Sequence, residues 1–170
     1  MPRLIRNGAL VDNPWVIVPR EEGVEDALAR PQDHLLVPVQ MWLDHYDELA
    51  QSGKRIAVWL DADQHPEMIC AKVGEFDLIA LNFPKFSDGR AFSYAVALRK
   101  HYGYKGELRA IGDVLRDPLF YMKRCGFDSF DLADEVKVED ALRAFHDFQT
   151  SYASTVEEPL PLFRRKFPAS

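Results

Sequence analysis

Apolar residues along the chain fall into two alternating kinds of run. "RIAVWL" at 55–60, "DLIALNF" at 77–83 and "ELRAIG" at 107–112 are nearly continuous, the pattern of strands covered on both faces in a parallel sheet. Between and beside them the spacing turns helical. "MWLDHYDELA" from residue 41 sets Trp42, His45, Tyr46 and Leu49 on one face, with Asp44, Asp47, Glu48 and Gln51 opposite, and Gly53 ends it. "DADQHPEMICAKVG" predicts a short helix with Pro66 in its first turn. Residues 90–102 give the clearest helix, with Ala91, Ala95, Leu98 and Tyr102 along one side. Asp117-Pro118 suits the start of "PLFYMKRC", and Gly126 its end. "FDSFDL" reads as a short last strand, and Val138, Ala141, Leu142, Phe145 and Phe148 line a final amphipathic helix.

Upstream, "LIRNGALV" places Asn7-Gly8 between two apolar segments, which predicts a two-residue hairpin turn. "WVIV" at 15–18 and "HLLVPVQ" at 34–40 are further strand candidates; Pro38 pushes the second towards a sheet edge or an early end. The whole predicts an α/β fold: repeated βα units with right-handed crossovers build a mainly parallel sheet behind an N-terminal hairpin. The pattern leaves an open sheet and a partial barrel equally available, with too few units for a complete eight-stranded βα barrel. One α/β domain is expected over 1–150. The tail 151–170, "SYASTVEEPLPLFRRKFPAS", is read either as a frayed terminus or as an arm docking Leu160, Leu162, Phe163 and Phe167 onto this chain or a neighbour.

Composition narrows the class. With 47% hydrophobic and 12% aromatic residues, the 170-residue chain can bury a core. A net charge of −6 disfavours general nucleic-acid binding, which needs a basic stripe. No apolar run is long enough to span a bilayer and no secretion signal is visible, so a cytoplasmic location is expected. Cys70 and Cys125 match no paired spacing and read first as buried apolar side chains, with a redox pair as the alternative.

The chemistry gathers where strands end. Strand entries are plain turns, whereas the exits carry Asp61 and Asp63, then Asn82 through Arg90, then Gly112-Asp113 with Arg116. Ligands of parallel α/β proteins bind at such exits, among loops and helix N-termini. In "FPKFSDGR" the candidate anion site is Lys85, Asp88, Gly89 and Arg90: the cations clamp an oxyanion, Gly89 admits close backbone approach, and Asp88 orients Arg90 or caps the helix. Asp113 and Asp61 are the candidate catalytic carboxylates. The competing reading makes Ser87 or Asp88 an N-cap, Asp113 the cap of a turn and Arg90 a solvated residue. The "DAD" of residues 61–63 is too weak to support a metal site, and His34, His45, His65, His101 and His146 form no ligand pattern; no metal is expected. His45 reads as a packed histidine. There is no G-x-G-x-x-G, no P-loop and no G-x-S-x-G, so the cofactor, if there is one, is unknown.

The motifs F-x-x-F-x-D-G-R-x-F-S, G-E-L-R-A-x-G-D-V-L and R-C-G-F-D-x-F lie within residues 83–132, and this stretch resembles the bacterial family known as domain of unknown function 934. Members are often labelled oxidoreductases of sulfite reduction, and their genes tend to neighbour the sulfite or nitrite reductase haemoprotein. The resemblance implies a cytoplasmic role in sulfate assimilation with that haemoprotein, or another sulfur-assimilation protein, as partner. It supplies no mechanism. The matching positions include Phe83, Phe86, Asp88, Gly89, Arg90, Ser93, Arg109, Gly112, Asp113, Arg124, Cys125, Gly126 and Asp128, with Cys125 expected to pack at its helix end. Two functions are therefore expected to compete: an accessory protein or oxidoreductase of assimilatory sulfite reduction, and a small enzyme binding an anionic metabolite at the strand exits.

Overall fold

The computed structural model describes residues 3–84, 89–116 and 118–146. In chain order the elements are β1 (Leu4–Arg6), β2 (Ala9–Val11), β3 (Val16–Ile17), α1 (Val24–Leu28), β4 (His34–Pro38), α2 (Val39–Asp44), α3 (Tyr46–Gln51) and β5 (Arg55–Leu60). A 3-10 stretch, Pro66–Glu75, leads to β6 (Leu78–Phe83) and α4 (Arg90–Val96), which continues as a π-helical turn, Ala97–His101. Then come β7 (Glu107–Gly112), α5 (Leu119–Cys125), β8 (Ser129–Asp131) and a helix α6 over 138–146.

All eight strands join one sheet in the order β2-β1-β8-β7-β6-β5-β4-β3. Strands β3 to β8 run parallel and in sequence, while the β1–β2 hairpin adds antiparallel to β8. The hairpin turn is the predicted Asn-Gly pair, with φ of 55° at Asn7 and 81° at Gly8, as a two-residue turn that follows strand twist requires.

Chain connectivity decides the curvature. The opposite sheet edges, β2 and β3, are joined by residues 12–15 alone. Those residues reach at most about 17 Å, whereas seven flat gaps of about 4.8 Å would hold the edges about 34 Å apart. The sheet must therefore curl, and it forms a half-barrel.

Sequential parallel strands put their crossover helices on one face, and the core divides accordingly. On the helix-covered face Leu35, Val37, Val58, Leu60, Ile79 and Leu81 pack with the helices. The alternate residues Leu36, Ala57, Trp59, Leu78, Ala80 and Ile111 form a second cluster inside the curl, and Trp15 packs against it. The connection that forces the curl thus also plugs it. Asn13 anchors this strap by accepting from Arg109 Nη1 at 3.0 Å, and the Arg109 guanidinium, only 2% exposed, also donates to Glu107 at 2.8 Å and Ser129 at 3.3 Å. Trp59 Nε1 donates to Val18 O at 2.9 Å just beyond the strap.

Several expectations need correction. Cys70 is exposed, and of the two cysteines only Cys125 is buried. The helix expected from residue 41 breaks at His45 (φ −127°, ψ 36°), whose Nδ1 lies 2.9 Å from Glu48 Oε1 rather than packing in the core. β4 is an interior strand, not an edge, although it does end at Pro38, beyond the last residue paired with β3. Helix α1 escaped prediction because its apolar positions, Val24, Ala27 and Leu28, fall within a single five-residue turn in a polar stretch.

Candidate functional site

The exits of β5, β6 and β7 form one connected rim. Asp61, just past β5, accepts from the Asn82 amide at 2.9 Å, from the Ala62 backbone at 2.9 Å and from Arg20 at 3.2 Å. Arg20 also donates to Asp63 at 3.0 Å. Burial pulls the Asp61 carboxyl upward, but the donors Asn82, Ala62 and Arg20 outweigh it and hold the group below its usual range. Its backbone N–H donates to the buried Gln64 side chain at 2.9 Å, closing the turn that carries it.

Asn82 then locks β6 to β7. A Cβ at Gly112 would lie 2.2 Å from Asn82 Oδ1 and 2.6 Å from Phe83 O, and Gly112 adopts φ +89°. Glycine is therefore required for the close approach and for the backbone. The tight turn after it is pinned by Asp113 N donating to Phe83 O at 2.8 Å and Val114 N to Gly112 O at 2.9 Å.

Beside this lock opens a cleft of about 580 Å³, lined by Asn82, Pro84, Asp113, Asp131, Asp134 and Glu135 among others. Its described charged lining is acidic. Burial raises the Asp131 carboxyl above its usual range, with Arg109 and Arg3 opposing the shift. The 132–136 wall is held by Arg3, whose guanidinium donates to the carbonyls of Ala133 at 2.5 Å and of Val136. Proton exchange between Asp131 and a bound group is chemistry this cleft can support.

Of the candidates, Asp61 and Asp113 join the same rim, Asp61 through its bond from Asn82 and Asp113 through its backbone bond to the adjacent Phe83 O. Gly89 caps α4 and Arg90 opens it, exposed and outside the described lining of the cleft. A Cβ at Gly89 would meet nothing within 4 Å, so no described neighbour demands glycine there. Lys85 and Asp88 lie outside the described residues. Arg20 and Asp131 went unmarked by sequence reasoning. Asp131 had a legible signal, an acid at the end of the short strand in "FDSFDL"; Arg20 had none, because it reaches the rim from a segment remote in the chain.

No curated protein and no solved structure matches this chain. A family model does match, over residues 57–163, a span that holds Asp61, Asn82, Gly112, Asp113 and Asp131. By that match the chain belongs to the family described as bacterial protein of unknown function, DUF934.

Proposed function

We propose that the protein is an accessory factor of assimilatory sulfite reduction in the cytoplasm, and that it works with the sulfite or nitrite reductase haemoprotein through the rim of strand exits. One observation carries the choice of surface: Asp61, Asn82, Phe83, Gly112 and Asp113 are fastened into one structure by hydrogen bonds of 2.9 Å (Asn82 to Asp61) and 2.8 Å (Asp113 N to Phe83 O) and by an obligatory glycine. The pathway is our reading of the label that members of this family often carry, since the family description itself names no function. Pairing Gly112-Asp113 with the buried Glu107–Arg109 ion pair accounts for the G-E-L-R-A-x-G-D-V-L motif in physical terms: one half anchors the interior, and the other shapes the rim. Affinity purification of the full chain from sulfate-grown cells tests the partnership. The haemoprotein is expected to co-purify with the wild type and to be lost with Asp113→Asn; recovery of no sulfur-assimilation protein contradicts it.

A second reading, a small enzyme acting on an anionic metabolite, draws on the cleft beside Asp113, whose volume suits a small ligand. In this reading Arg90, at the start of α4 and outside the cleft's acidic described lining, binds the anion together with Lys85, Asp88 and Gly89. Asp113 serves as base in preference to Asp61, which three donors hold anionic and weakly basic. Thermal shift with sulfite and phosphate separates the readings: stabilisation that Arg90→Ala abolishes supports the enzyme, and stabilisation that survives it removes this site.

A further inference from the structure

The rim leaves unexplained a second concavity, of about 420 Å³, on the helix-covered side. It shares no lining residue with the rim cleft. Along α4 its lining falls in two rows, Phe92–Val96–His101 and Ser93–Ala97–Tyr102. Each row steps by four and then by five. The step of five is the π-helical turn, closed by Tyr102 N donating to Ala97 O at 3.0 Å. With uninterrupted α spacing Lys100 and His101 would end these rows; the extra residue brings imidazole and phenol there instead. Such turns are rare and recur at functional sites.

The opposite walls fit the same purpose. Tyr121 of α5 stands 56% exposed, its ring 4.9 Å from that of Phe92. His65 accepts from Glu67 N at Nδ1, 3.0 Å away, so the neutral ring carries its proton on Nε2. Its ring meets Tyr94 edge-on at 5.3 Å, which fixes its plane.

We infer that this groove binds a planar heteroaromatic ring bearing hydrogen-bond acceptors, stacked on Tyr121 and Tyr102 over Val96 and Ala97, with acceptors meeting His65, Ser93 or His101. The volume falls in the range of small-ligand sites, and aromatic walls with a few fixed donors are their usual lining.

Saturation-transfer NMR on the full chain with riboflavin, adenosine and nicotinamide as probes tests this. At least one ring is expected to receive saturation, with affinity falling at least tenfold in Ala97→Phe, which fills the groove floor, and unchanged in Asp113→Asn. Should Ala97→Phe lose the native circular dichroism, Ser93→Leu, at an exposed position, makes the same test. Binding by none of the three rings, or binding that survives the folded groove-filling variant, overturns the inference.

Discussion

The side-chain oxygen of Asn82 lies where Gly112 has no side chain: a Cβ at 112 would stand 2.2 Å away. This contact joins two strand exits, and through the Asn82–Asp61 hydrogen bond of 2.9 Å it reaches a third.

Gly112→Ala should therefore distort the rim. The φ of +89° and the clash together cost about 2–4 kcal/mol. In a chain of this size that lowers Tm by roughly 5–15 °C. A Tm within about 1 °C of wild type would show that β6 and β7 are not locked in this way.

Replacing the amide by an acid probes the other half of the link. Asn82→Asp sets one carboxylate against another where Asn82 now donates to Asp61. One of the two then titrates upward. The variant should be destabilised by about 2 kcal/mol at pH 7 and recover part of that towards pH 4, as the pair shares a proton. Equal deficits at both pH values, by denaturant titration, would place the two side chains apart.

Asp61 and Asp131 should give opposite pH signatures. Asp61 titrates low in the fold, so its stabilisation is present above the ordinary carboxylate range near pH 4 and is lost as pH falls through the lowered value. The Tm deficit of Asp61→Asn should narrow on acidification. Asp131 titrates high, so its stabilisation is present below about pH 4 and is lost as pH rises through the raised value. Relative to wild type, Asp131→Asn should thus look better at pH 7 than at pH 4. Parallel Tm-against-pH curves for the two variants would refute the assignment.

Trp59→Phe tests the chain segment that plugs the half-barrel. It keeps most of the ring and removes the 2.9 Å bond to Val18 O. A buried carbonyl left without that donor costs about 1–3 kcal/mol. Hydrogen exchange should quicken around residues 12–18 before the β5–β7 core is affected; uniform protection would mean that the segment does not depend on Trp59.

Much of the fold was legible because its signals are local. The runs at 55–60, 78–83 and 107–112 could hardly be anything but buried strands, and Asn7-Gly8 dictated its own turn. Curvature was not legible, since it follows from pairing between edges far apart in sequence, Val11 and Val16 being tied by a four-residue strap. For the same reason Asp61 and Asp113 could be named as exit residues, while Arg20, 41 positions from Asp61, could not. The π-helical turn was hidden too: residues 90–102 read as plain helix, because the departure lies in backbone bonding rather than in residue type.

The most direct test of the central claim is growth with sulfate as sole sulfur source, in a strain lacking this gene and carrying the chain or Asp113→Asn at matched levels. The account predicts that wild type restores growth and that Asp113→Asn, with an unchanged melting temperature, does not. Full growth on the Asp113→Asn variant would contradict it.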